Sequence, residues 1–161
     1  MAADRNGIAL RIGLISDTHG LLRPEAVAFL RGSDHIIHSG DIGGAEILEA
    51  LARIAPITAV RGNNDTAAWA GALLETESPT FDRTRVHVVH DLAQLAIDPV
   101  VAGVQVIVSG HSHKPAVLHK NGVVYINPGS AGPRRFRLPI AVGELLIDGD
   151  TITPRIVELS A

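Results

Sequence analysis

Short runs of β-branched residues alternate with helical patterns along the first two-thirds of the chain. Residues 9–16 (ALRIGLIS) predict a strand. Over 24–31, Pro24 suits the first helical position, Glu25 the positive N-terminus and Gly32 the stop, which predicts a helix. Residues 35–39 (HIIHS) predict a second strand. From about 44 to 54, Ile47, Leu48, Leu51 and Ile54 recur at helical spacing, with Arg53 in the last turn and Pro56 beyond. Strands are predicted over 57–61, 86–90 and 105–109, and a helix over 92–102, with Pro99 inside it. The order reads βαβαβ…βαβ, an α/β arrangement with a largely parallel sheet. The last third differs. Runs at 115–119, 123–126, 139–147 and 151–159 are separated by Asn121-Gly122 and Asp148-Gly149-Asp150, which are hairpin signals. The expectation is two sheets packed face to face, with helices outside.

Composition narrows the chemistry. The chain has 161 residues, 46% hydrophobic and 19% charged, which suits a single globular domain over 1–161. No repeat or linker divides it, and residues 1–8 read as a loose tail. Aromatics are 3%, so Val, Ile, Leu and Ala must build the core. The net charge of −3 supplies no basic surface for nucleic acid or a membrane, so neither is expected as a partner. No apolar run approaches the ~20 residues of a membrane span, and the N-terminus lacks a signal-peptide pattern, so a cytoplasmic location is expected. There is no cysteine, which excludes disulfides, thiolate metal sites and a Cys nucleophile. Any metal must use oxygen and imidazole ligands. Eight histidines are many for so short a chain.

The polar residues that periodicity leaves unexplained fall at the C-terminal ends of successive predicted strands. These are Asp17-Thr18-His19-Gly20, Gly40-Asp41-Ile42-Gly43-Gly44, Gly62-Asn63-Asn64-Asp65, His90-Asp91 and Gly110-His111-Ser112-His113. Ligands bind beyond the strand C-termini of open α/β sheets. Asp17, Asp41, Asn63, His19, His90, His111 and His113 would then converge in one cleft. Asp, Asn and His without Cys is a ligand set for Mn, Fe, Zn or Mg, and seven side chains exceed one tetrahedral site. They suit two metals sharing a bridging carboxylate.

Each element alone has a plainer reading. Asp17 with Gly20 fits a turn or cap, Asp41 fits an N-cap, and Asn63-Asn64-Asp65 fits an ordinary loop. His90 alone fits a hydrogen-bonded strand-end histidine. His111 and His113, two apart on an extended segment, form the sharpest single element. Five such loops in one chain weigh against coincidence. His35 and His87 read as structural strand histidines, His119 as solvent-facing, and Trp69 and Tyr125 as packing. His38 is placed to orient a ligand through a hydrogen bond. Arg134, Arg135 and Arg137 read as a solvated loop, with phosphate contact by Arg134 as the minority alternative.

The motifs SDTHG (16–20), HSGDIGG (38–44), RGNND (61–65), GHSHKP (110–115) and INPGS (126–130) make the sequence similar to the calcineurin-like metallophosphoesterase superfamily, nearest its small prokaryotic YfcE-like branch. The match spans roughly 11–147. It implies a four-layer α/β/β/α fold, a two-sheet β-sandwich flanked by helices. It also implies that one metal takes Asp17, His19, Asp41 and His113. The second would take Asp41, Asn63, His90 and His111, with Asp41 bridging. The implied cofactors are two divalent ions, Mn²⁺ foremost, with Fe, Zn or Ni as alternatives. The implied reaction is attack of a metal-bridging hydroxide on a small phosphoester, foremost a phosphodiester, with Asp41, Asn63 and His90 as catalytic residues. Asn64 and Asp65 join His38 as supporting residues.

Two departures matter. Many larger relatives carry a His after the ligand Asn, as leaving-group acid; here it is Asn64. The middle His is usually followed by Gly; here Asp91 follows His90. The rival reading is a catalytically weak scaffold or a metal- or nucleotide-binding module, as in the retromer subunit that this fold resembles. Against it, every ligand type is present. A homodimer is a further expectation, two-fold dimers being the commonest oligomers.

Overall fold

The computed structural model describes residues 9–159, so the tail expected over 1–8 lies outside the described residues. Eleven strands form two sheets. The first sheet contains β1 (Leu10–Ile15), β2 (His35–His38), β3 (Ile57–Ala59), β10 (Ala141–Asp148) and β11 (Thr151–Glu158), in the order β11-β10-β1-β2-β3. β1, β2 and β3 are parallel, and β10 and β11 join antiparallel to them. The second sheet contains β4 (Thr76–Glu77), β6 (Thr84–Val89), β7 (Val106–Val108), β8 (Ala116–Lys120) and β9 (Val123–Asn127), in the order β4-β6-β7-β9-β8, with β5 (Thr80–Phe81) paired to β6. β6, β7 and β9 are parallel.

The period-2 pattern of β1 decides the layers. Leu10, Ile12 and Leu14 point inward and meet Val86, Val88, Val106, Val108 and Ile126 of the second sheet. Ile15 and Ile36 face the other way, against Ala26 and Leu30 of α1 (Pro24–Leu30) and Ile47 and Leu51 of α2 (Ala45–Ala52). This is the expected mixed α/β sandwich.

One predicted helix does not form. Over 92–102 the chain makes a single 3-10 turn at Leu92–Gln94 and then loops. Asp91 Oδ1 accepts the Ala93 N–H, and Asp98 Oδ1 accepts those of Val100 and Val101, so side chains take the donors a helix would use. Pro99 adds a break. Among the described residues, the loop side chains Leu95, Ile97 and Ala102 pack against Val89, Ile107 and Val123 on the outer face of the second sheet. No helix among the described residues is long and apolar enough to cross a membrane.

Candidate metal centre

Parallel pairing of β1 with β2 and β3, and of β6 with β7, delivers the loops after these strands to one end of the sandwich. The loops after β1 and β2 run side by side. Asp17 N–H donates to the Gly40 carbonyl (3.0 Å), His19 N–H to Asp41 (2.9 Å) and Gly20 N–H to Ile42 (2.8 Å). Gly110 N–H donates to the His90 carbonyl (2.9 Å), tying the second sheet's loops together.

The backbone is strained where the polar side chains converge. Asp17, His19, Asp41, His111 and His113 all have positive φ, between 47° and 71°. Non-glycine residues rarely adopt that region, and such strain persists where the surroundings over-determine it. Two neighbours must be glycine for another reason. A Cβ on Gly62 would overlap Asp41, and one on Gly110 would sit 2.8 Å from Asp17 Oδ2.

Asp17 is anchored at one oxygen and Asp41 at both. Asp17 Oδ2 accepts from Ser16 Oγ (2.7 Å) and the His111 N–H (3.2 Å). Asp41 accepts the Asn64 N–H on Oδ1 (2.9 Å) and Asn64 Nδ2 on Oδ2 (3.2 Å). Asp17 Oδ1 and Asp41 Oδ2 then face the rings. His90 Nε2 is 3.3 Å from Asp41 Oδ2 and 3.9 Å from Asp17 Oδ1. His19 Nε2 is 3.8 Å from both oxygens, and His113 Nε2 is 3.4 Å from Asp17 Oδ1. Donors bound at about 2.1 Å to one ion lie roughly 3–3.5 Å apart, so these spacings are close to those of a coordination shell.

His90 Nδ1–H donates to the Ser39 carbonyl at 2.7 Å, which leaves Nε2 with its lone pair toward the carboxylates. His111 Nδ1 is 3.2 Å from Asn63 Oδ1, so these two donors also converge. Asp17 Oδ1, His19 Nε2, His90 Nε2 and His113 Nδ1 are buried and without a hydrogen-bond partner among the described residues. Unpaired buried polar atoms are costly, and a bound cation would satisfy the inward-facing ones. The donor set therefore fits divalent metal. The groups that fall within mutual reach are Asp17, His19 and His113, and Asp17, Asp41 and His90.

Electrostatics agree. Burial pushes the Asp41 carboxyl up, but the His90 ring and the Asn64 N–H more than offset it, holding it at about 2. Burial opposes charge on His90, yet the Asp41 and Asp17 carboxylates raise its pKa above the usual imidazole value. The cluster attracts positive charge and presents anionic donors.

The three supporting residues have definite tasks. Asp65 is buried and accepts N–H bonds from Ile42 (2.9 Å), Gly43 (3.2 Å) and Gly62 (2.9 Å), clamping two ligand loops together. Asn64 holds Asp41. His38 is fully buried; its Nδ1 accepts the Gly40 N–H (3.1 Å), so Nε2–H donates to Thr18 Oγ1 (3.0 Å), which donates to the Ile42 carbonyl (2.7 Å).

Burial lowers the His38 pKa from 6.5 to about 4. The stability this neutral ring contributes is complete above pH 6.5 and is lost as pH falls toward 4, on the order of 3 kcal/mol. His35 and His87 are lowered by burial and act in the same direction, whereas the raised His90 opposes them. Urea unfolding of metal-free wild type and His38→Gln across pH 7 to 4 should show the wild-type advantage shrinking with acid. A pH-independent difference would refute this.

Arg134 is not drawn into the cluster: its guanidinium donates to the Leu138 carbonyl (3.2 Å) in an exposed loop. Asp91, where relatives usually have Gly, caps the 3-10 turn and lines the cleft, with Oδ2 3.8 Å from His111 Nε2. His35 and His87 bond Thr58 and Ser78, as expected of structural residues. Sequence reasoning missed Ser16 and Thr18, although both sit inside the SDTHG motif. It also missed the Ser39 carbonyl, for which a sequence carries no signal.

The pattern of the calcineurin-like phosphoesterase superfamily domain matches residues 10–150. The chain belongs to that superfamily. A probable metallophosphoesterase of Methanothermobacter thermautotrophicus is 35% identical, with 93% of each chain covered. Among solved structures, Vacuolar Protein Sorting 29 from Cryptosporidium parvum is similar at a TM-score of 0.82 and 20% identity, covering 94% of this chain and 92% of that one. An archaeal phosphodiesterase is similar at a TM-score of 0.73 and 22% identity, covering 92% and 99%. The two structures support the metallophosphoesterase fold. Membership supports a phosphoesterase hydrolase, and the described residues include candidate metal-ligand groups.

Proposed function

We propose that this metallophosphoesterase hydrolyses phosphodiesters with two divalent ions, held by Asp17, His19, Asp41 and His113 and by Asp41, Asn63, His90 and His111. The observation that carries it is that His19 Nε2 and His90 Nε2, buried and unpartnered, gather with the unpartnered Asp17 Oδ1 at the Asp17 and Asp41 carboxylates. The two donor groups meet at Asp17, and Asn63 and His111 converge beside them, so the cleft offers more donors than one ion uses. When bound, such ions polarise phosphoryl oxygens and make water acidic enough to attack at neutral pH. The carboxylates of Asp17 and Asp41 neutralise the ions, and the Ser39 carbonyl fixes the His90 tautomer. Water and a diester give a monoester and an alcohol, so no covalent enzyme intermediate is needed. Oxygen and imidazole donors suit Mn²⁺, with Fe, Zn or Ni as alternatives.

The test is hydrolysis of a chromogenic aryl phosphodiester by metal-stripped protein titrated with Mn²⁺, with bound metal counted. Turnover rising to saturation at two ions per chain supports the proposal; one ion at saturation, or no turnover, sinks it. The scaffold reading draws on the likeness to the vacuolar sorting protein; tight metal binding without turnover is its signature.

Asn64 shapes the substrate range. Both its amide groups are committed to Asp41, and an amide has no proton to lose at neutral pH. General acid catalysis contributes about 10²–10⁴-fold. Substrates with poor leaving groups should lack that gain. An aryl diester is expected to exceed an alkyl phosphomonoester in kcat/KM by about 10²-fold or more. The reverse order would refute the role given to Asn64.

A further inference from the structure

Two clefts meet at the candidate metal centre. One, of about 500 Å³, is polar, and includes Arg61, Asn63, Thr66, Glu75 and His90 in its walls. The other, of about 380 Å³, runs along the outer face of β8 and β9, walled by Leu92, Ala116, Leu118, Tyr125 and Ile126. Asp91 and His111 line both, so the metal centre opens directly into the second groove.

The 3-10 turn leaves the end of the sheet open, and Leu92 and Leu118 stay 42% and 55% exposed. Register places Leu118 opposite Tyr125, side by side on one face. The polar wall groups are already spent. Asn127 Nδ2 donates to the Gly110 carbonyl (2.9 Å) and to Ser112 Oγ (3.1 Å), and its Oδ1 accepts the Gly129 N–H (2.9 Å). Ser112 Oγ also accepts the Lys114 N–H (3.2 Å). What remains is an apolar wall with one cation, Lys114, among its residues, and the Asp91 carboxylate beside His111 at the metal-centre end. That combination suits an uncharged ring tethered to an anion, and the volume is that of a small-molecule site.

We infer that this groove seats a flat, uncharged ring carried on one ester arm of the phosphodiester, with the phosphate at His111 and the other arm in the polar cleft. The inference rests on the phosphodiesterase reading and deepens it. A planar ring buries much apolar area at little conformational cost, so the groove selects for it rather than for a flexible polar arm.

The test uses two phosphinate monoanions that mimic a diester and cannot be hydrolysed: benzyl(methyl)phosphinate and dimethylphosphinate. Both are titrated into the full chain loaded with Mn²⁺, by calorimetry. Mapping by amide chemical shifts uses Zn²⁺ in place of Mn²⁺. The benzyl compound should bind roughly tenfold tighter or better, since burying a few apolar carbons changes affinity by that factor or more. It should also shift the amides of Leu92, Leu118 and Tyr125. Leu118→Asp, on an exposed strand, should abolish that preference and leave the dimethyl compound's Kd unchanged; Leu118→Ala should reduce it part-way. Equal affinities, shifts confined to the polar cleft, or a Leu118→Asp effect on both compounds would overturn the ring assignment while diester turnover stands. If Leu118→Asp instead converts a dimer to a monomer in sedimentation, the groove belongs to a second copy of the chain and the assignment falls. Failure of both anions to bind, with no diester turnover, would remove the phosphodiesterase reading itself.

Discussion

Asp41→Ala is expected to lower metal-dependent diester hydrolysis by about 10³-fold or more, because it removes the carboxylate that the proposed arrangement shares between the two ions. Asp41 Oδ2 lies 3.3 Å from His90 Nε2 and 3.8 Å from His19 Nε2, so its loss leaves those rings with Asp17 as their carboxylate neighbour, 3.9 Å and 3.8 Å away. The metal-free fold should lose stability as well. Asp41 is buried, with a positive φ of 56°. Burial pushes its carboxyl up, but the His90 ring and the Asn64 N–H hold it at about 2, so the ionised group stabilises the fold above its ordinary pKa of 3.8. The metal-free variant should therefore melt below the wild-type temperature, and the rise in Tm that Mn²⁺ gives the wild type should disappear. Calorimetric scans with and without Mn²⁺ read both effects. A variant that still gains stability from Mn²⁺ as wild type does would show that Asp41 is not a ligand.

Much of this site is legible in the chain because its residues lie at strand ends, where hydrophobic periodicity stops and glycines begin. ALRIGLIS followed by Asp17, and VHVV followed by His90, place a ligand candidate at the edge of a buried strand before any coordinate is known. The geometry inside the loops is not legible. Nothing in the residue types announces that Asp17, His19, Asp41, His111 and His113 adopt left-handed backbone, since that strain is imposed by contacts between loops far apart in sequence. The missing helix at 92–102 has a local cause: Asp91 and Asp98 compete for backbone donors. Strands β4 and β5 have two residues each, too short to show a period, and exist only because β6 offers an edge. The distinction between Asn64 and Asp65 also needed three dimensions. Side by side in the sequence, one holds the carboxylate of Asp41 and the other holds its backbone loop.

Asp65→Ala is expected to cost about 4 kcal/mol of stability. Its carboxylate accepts three backbone N–H bonds from the loops at 42–43 and 62, each loop carrying a ligand candidate next door, Asp41 and Asn63. Hydrogen bonds to a charged group contribute roughly 1.5–3 kcal/mol each, and donors left buried without a partner cost about 1–3 kcal/mol. Solvent reaches little of the pocket, since Asp65 is 3% exposed and Ile42 is fully buried. Water therefore cannot easily replace the lost acceptor. Asp65→Asn separates the two parts of this loss. It keeps one acceptor oxygen but turns the other into a donor facing a donor, so it should cost less than Ala and still loosen the loops. Metal affinity should fall in both variants even where the fold survives, because Asp41 and Asn63 lose their fixed separation. Urea unfolding of the metal-free proteins gives the stability, and Mn²⁺ titration gives the affinity. If Asp65→Ala were as stable as wild type, other acceptors would have to serve these N–H groups. If it lost stability yet bound Mn²⁺ unchanged, the clamp would support the fold without setting the site.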